Sequence, residues 1–308
     1  MSADLKTEIK KVLEKVKVSA LSAPPKIIEF TTESDLFASF STLCDSHILS
    51  APVYDTQAKE YVGFLDLRDL VSYVIHAEKA KNTKHVCLKD IIVNIPQVSD
   101  VQVTISYLAR RHRFKPVPQA ASLYDVAVSL CGGGAHRVPV IGADGRVINI
   151  ISQSVIIKHI KQHLGELPSL NAITVKDSGV GTSPVIKTSS HASAVSAFDL
   201  LDTTGRFGMA VTGEGDAIVT QTCAHDLKLW LKNPSSDLLG QPIMKFLQVI
   251  RSQDIDIQVP VLSAQDKDTL SYVIQKLEAT RQHRIYIVDG SYHPIRVVSL
   301  TDLLKACT

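Results

Sequence analysis

The sequence predicts an α/β (α+β) fold built from four tandem repeats. Two observations carry this. First, a helix-like segment followed by an apolar strand, a turn, a second strand and a final helix recurs four times along 308 residues. Second, two landmarks recur with it. Pro52, Pro139, Met209 and Tyr286 mark the first strands, and Asp69, Val155, Asp226 and Asp302 follow them by 17, 16, 17 and 16 residues.

The elements read in order as follows. Residues 1–19 hold an amphipathic helix, with Leu5, Ile9, Val12, Leu13 and Val16 on one face. The segment has no apolar core of the kind a signal peptide needs. Repeat one (20–80) has its first helix in "SDLFASFSTL" and its strands in "APVYDTQAKE" and "YVGFLDL". Repeat two (81–164, with its lead-in) has a helix in "SLYDVAVSL", where Leu123, Val126, Ala127 and Leu130 share a face and Ser122 is the N-cap. Repeat three (165–235) runs through "ASAVSAFDLL" and "MAVTGEGD". Repeat four (236–308) runs through "DTLSYVIQKL" and "IYIVDGSYH". A repeat of roughly 60 residues has a marginal core of its own, so the repeats should pair, sheet against sheet. Gly165 and Pro168 in "LGELPS" suggest a division into halves at Leu164 to Ser169.

The stretch "LCGGGAHRVPVIGADG" could suggest a phosphate-cradling loop. Such a loop needs a strand, then glycines, then a helix whose N-terminal amides face the phosphate. Here the glycines follow a helix and precede a strand. They read as a helix stop, where positive φ favours glycine. A Gly→Ala change in this trio should then cost about 1 kcal/mol or more where φ is positive.

Net charge is +2, too near neutral for a dedicated nucleic-acid binder. No apolar run approaches the roughly 20 residues of a membrane span. Five scattered cysteines without a C-x-x-C suggest reduced thiols, in the cytosol or nucleus. The run "ARRHRFKP" reads as a solvated basic face, or as a grip for phosphate or an acidic partner. His159 and His163 lack a third ligand for metal. Cys131 and His136 lack a partner for nucleophilic catalysis.

The stretches "HRIYIVDG…IRVVSLTDLL", "HRVPVI" and "FKPVPQAASLYDVAVSL" are similar to the γ subunits of AMP-activated protein kinase, which carry four tandem cystathionine-β-synthase (CBS) domains. The resemblance covers about residues 20–308. It implies two pseudo-symmetric repeat pairs in a flat disc, a non-catalytic role, and AMP, ADP or ATP bound in clefts without a required cofactor. It also implies kinase catalytic and scaffolding subunits as partners, with neither nucleic acid nor membrane involved.

The residues suit this chemistry. An Asp at a strand-to-helix turn can accept both hydroxyls of a ribose. A neighbouring hydroxyl and helix amides can meet phosphate, as can Arg and His. The same Ser/Thr-x-x-Asp pattern also caps a helix. Repeat four has the whole set: Ser299, Thr301, Asp302, His283 and Arg284. Repeat two keeps Ser152, His136 and Arg137, but Val155 replaces the Asp and Ser154 a lysine of the animal γ pattern. Repeat one keeps Asp69, with Asp66 at the hydroxyl position and Leu49 at a basic one. Repeat three keeps Asp226, with Cys223 at the hydroxyl position and Arg206 at the His position. Four equivalent clefts therefore need not be four working sites.

Overall fold

The computed structural model describes residues 3–24, 26–80, 104–132, 136–252 and 261–308. Each repeat folds as one three-stranded sheet. In every sheet a short lead-in strand pairs in parallel with the middle strand, which pairs antiparallel with the third. Helix α1 (Ala3–Glu14) precedes repeat one, which contains β1 (Phe30–Thr31), α2 (Leu36–Asp45), β2 (Ser50–Asp55), β3 (Glu60–Asp66) and α3 (Leu67–Ala80). Helix α4 (Ile105–Ala109) leads to β4 (Val117–Pro118), α5 (Leu123–Gly132), β5 (Arg137–Ile141), β6 (Val147–Ser152) and α6 (Gln153–Gln162).

Short helices α7 (Pro168–Ala172) and α8 (Val175–Ser178) precede β7 (Lys187–Ser189), α9 (Ala194–Thr204), β8 (Gly208–Thr212), β9 (Ile218–Cys223) and α10 (Ala224–Leu231). Helices α11 (Ser236–Gly240) and α12 (Ile243–Ser252) lead to repeat four: β10 (Ser263–Ala264), α13 (Leu270–Thr280), β11 (Arg284–Val288), β12 (Pro294–Ser299) and α14 (Leu300–Cys307). No helix among the described residues is long and apolar enough to cross a membrane.

The chain forms two compact units, and they are not its two halves. One comprises 1–27, 115–185 and 261–308, and the other 28–114 and 186–260. Repeat two thus shares a core with repeat four, and repeat one with repeat three. The proposed division at Leu164 to Ser169 falls inside the first unit. There Pro168 occupies the first turn of α7, which its fixed φ suits. Leu167 and Leu170 are fully buried, and the Ser169 hydroxyl donates to Glu8 of α1 at 2.7 Å. The punctuation marks a helix start, not a boundary.

Repeats within a unit meet through helices. In the first unit α13 packs on α6, and α14 on α5 and α6. The apolar face of α1 closes this core, with Leu5, Ile9, Val12 and Leu13 buried. In the second, α3 packs on α9 and α10, around Phe40, Phe198, Phe246 and Trp230. Burial raises the Cys44 thiol to about 11 and the Cys307 thiol to about 12, so neither is poised to react at neutral pH.

Helix stops in three repeats use a left-handed residue: His47, Gly205 and Arg281, at φ of 53°, 62° and 53°. In repeat two, α5 runs to Gly132, which is not at positive φ and has open space where a Cβ would stand. The expected cost of Gly→Ala therefore does not apply at Gly132. Gly133 and Gly134 lie outside the described residues. Ser122 is the N-cap the sequence suggests, in a reciprocal box with Asp125: its hydroxyl accepts from the Asp125 amide at 3.1 Å, and its own amide donates to the carboxylate at 2.8 Å.

Candidate functional site

The strand-to-helix turn of each repeat is built by antiparallel register. Arg284 lies opposite Ser299, Arg137 opposite Ser152, Ser50 opposite Asp66, and Gly208 opposite Cys223. The residue before each first-strand member accepts a hydrogen bond from the first amide of the following helix. Those acceptors are the carbonyls of His283, His136, Leu49 and Phe207. The turn therefore joins a His-Arg pair to a helix N-terminus in repeats two and four. Repeat one offers Leu49-Ser50 there and repeat three Phe207-Gly208.

This register corrects one expectation. Arg206 does not occupy the His position of repeat three, because Phe207 does. The Asp226 carboxylate lies five residues after Gln221, whose strand partner is Ala210, not Met209. Counting from Met209 displaced the alignment by one residue.

In the first unit the two turns meet. The Gln153 side chain, 6% exposed, donates from Nε2 to the Thr301 hydroxyl at 3.0 Å, and its Oε1 lies 3.5 Å from His136 Nδ1. The Ser154 hydroxyl lies 3.4 Å from His283 Nε2. Repeat two thus lends Gln153 and Ser154 to the polar groups of repeat four. Gln153 escaped the sequence analysis, because only its position beside Thr301, 148 residues away, reveals its role.

Asp302 sits at the third position of α14. Its Oδ2 accepts from the Ser299 amide at 2.8 Å and from the Ser299 hydroxyl at 2.6 Å, and the Ser299 oxygen accepts from the Asp302 amide at 3.2 Å. The box fixes the carboxylate at the helix dipole's positive end. Among the described residues nothing donates to Oδ1 and no cation pairs with Asp302. Ser152 caps α6 by position, without a side-chain bond. The arrangement offers one acceptor oxygen with free lone pairs, two His-Arg pairs on equivalent strand ends, and a helix start without a carboxylate.

The second unit differs. Asp69, 1% exposed, accepts from the Asp66 amide at 3.0 Å and faces His112 Nε2 at 3.0 Å and Arg111 Nη1 at 3.4 Å. Asp66 accepts from the Arg68 amide at 3.0 Å, acting as the N-cap in place of a hydroxyl. The run 110–115 is therefore not simply a solvated face, since His112 turns inward on a carboxylate that the exposed Arg111 also reaches. Asp226 accepts from Thr222, from the Cys223 amide and from Arg251. Among the described residues no cluster of three or more potential metal ligands occurs.

Residues 253–308 match the CBS domain family. Across most of the chain, "Protein sds23" of Neosartorya fischeri is 24% identical over 302 residues, covering 89% of this chain and 53% of its own length. "5'-AMP-activated protein kinase subunit gamma-3" of Sus scrofa is 24% identical over 298 residues, covering 93% and 55%. The chain spans about half the length of these curated relatives. Among solved structures, a Methanocaldococcus jannaschii protein described as an archaeal homologue of γ-AMPK superposes with a TM-score of 0.68 at 14% identity, over 95% of this chain and 100% of that one. An uncharacterised conserved protein of Pyrococcus horikoshii superposes at 0.56, with 15% identity and the same coverages. Four repeated sheets, a carboxy-terminal family match and these chain-length similarities agree: residues 253–308 match the CBS domain, and the chain has a fourfold repeated fold similar to that of tandem CBS proteins of the γ-AMPK kind.

Proposed function

We propose that the chain is a non-catalytic regulatory subunit of γ type that binds AMP, ADP or ATP through repeat four, for a kinase of the AMP-activated class. The observation that supports this best is Asp302, anchored by Ser299 through one oxygen and open at the other. That geometry suits a ribose diol, with both hydroxyls donating to the free oxygen. His283 and Arg284, with His136 and Arg137 from the paired repeat, supply charge for phosphate. Thr301 and Ser152 supply hydroxyls. Asp69, Asp226 and Arg206 belong to the other unit and carry no part of this reading.

A second reading has its own support. The sds23 proteins match as well as the γ subunits do, so a free-standing CBS sensor serving another enzyme is the alternative. Purification from the native source separates the two. A kinase catalytic chain and a scaffolding chain accompany the protein in the first reading only. Mass spectrometry of small molecules released on denaturation tests the ligand. Release of no adenine nucleotide, together with a blank calorimetric titration with AMP, ADP and ATP, would refute both readings.

A further inference from the structure

We infer that internal locks withdraw the carboxylates of repeats one and three from ligand binding, which confines ribose recognition to repeat four. The inference deepens the nucleotide reading and rests on it.

A carboxylate has about four lone-pair sites. Around Asp226 four donors gather, three on Oδ2 and one on Oδ1. Oδ2 accepts from the Thr222 hydroxyl at 2.9 Å, the Cys223 amide at 2.9 Å and Arg251 Nη2 at 3.0 Å. Oδ1 accepts from Arg251 Nε at 3.0 Å and lies 2.9 Å from Nη2. Arg251 is itself held, donating to the Gln221 carbonyl at 2.8 Å and the Thr220 hydroxyl at 3.3 Å. A planar guanidinium bound on both edges is not displaced by two neutral hydroxyls.

The Asp69 lock comes from the lead-in to repeat two. Arg68 Nη2 lies 3.3 Å from His112 Nδ1. A guanidinium can only donate, so Nδ1 accepts and the ring proton sits on Nε2, directed at Asp69. The backbone pins His112 there, because its carbonyl accepts from the Phe64 amide at 3.2 Å. This close approach requires Gly63, where a Cβ would stand 1.9 Å from the Ala109 carbonyl oxygen.

Repeat four has the same backbone contact with a different residue in it. The Val297 amide, five residues before Asp302 as Phe64 is before Asp69, donates to the Thr182 carbonyl at 3.0 Å. Thr182 carries no charge. The position that supplies a lock in repeat one therefore supplies a neutral side chain in repeat four.

The test uses AMP as the probe on the full chain, with Asp69→Asn and Asp226→Asn. Each folded variant should bind AMP with the wild-type number of sites and within about twofold in affinity, while melting at least about 5 °C lower. Loss of a binding event, or a tenfold weakening, in either variant overturns the inference. Should a variant not fold, nitrogen-15 shifts of the His112 ring in the wild type decide for repeat one. A proton on Nε2, unmoved by saturating AMP, supports the lock, and any other ring state or an AMP-dependent change overturns it. If the wild type binds no AMP, the nucleotide reading falls alone. The locks are then judged by melting-temperature cycles of Asp226→Asn with Arg251→Met and Asp69→Asn with His112→Phe, where non-additive shifts support them and additive shifts overturn them.

Discussion

The unit formed by repeats two and four and the unit formed by repeats one and three share one backbone plan and use it oppositely. In the first, both strand ends carry His-Arg, one helix start has no carboxylate, and the other has Asp302 open at one oxygen. In the second, neither strand end carries His-Arg, both helix starts have an Asp, and each Asp is bound by side chains of its own chain. The first unit keeps one open carboxylate oxygen at its turns, on Asp302. The second uses its carboxylates for stability. The lesson is that an Asp at the third position of such a helix is neutral between a cap and a ligand site, and the decision lies in what faces its second carboxylate oxygen.

The largest effect that would sharpen this contrast is expected at Arg251. Arg251→Ala strands Asp226 in a site where it is 2% exposed, and should lower stability by about 3 kcal/mol or more in denaturant unfolding. A loss under about 1 kcal/mol would mean that Asp226 is solvated and available after all. Next comes Asp302→Ala, which should weaken AMP binding at least tenfold and cost about 1 kcal/mol through the lost box. Unchanged affinity at every detectable site in the folded variant would erase the difference between the units.

Arg137→Ala should weaken AMP about tenfold and leave adenosine within about twofold, since only phosphate uses the guanidinium. Equal losses for both ligands would give Arg137 a purely structural role. The smallest effect is at Gly132. Gly132→Ala should raise stability by up to about 1 kcal/mol, because the position is helical and its Cβ meets nothing within 4 Å. Its affinity for nucleotide should match wild type. Lost binding at an unchanged melting temperature would return a phosphate role to the glycine loop.

The sequence by itself determined the repeat, its helix–strand–strand–helix order, the Ser122 cap, the apolar face of α1 and the completeness of the motif in repeat four. All of these depend on local spacing: periods near 3.6 or 2, a capping residue, a turn signal. Tertiary structure alone decided which repeats share a core. Four similar amphipathic helices can pair in several ways, and only side-chain packing between segments more than 100 residues apart selects among them. It also decided the register that moves Arg206 off the His position, since a one-residue difference in strand pairing is invisible to a count along the chain. And it decided the fate of each carboxylate. Asp69, Asp226 and Asp302 look alike in sequence, but a carboxylate's free capacity is set by donors that arrive from distant segments: His112 and Arg251 in two cases, and in the third the uncharged Thr182 at the equivalent backbone position.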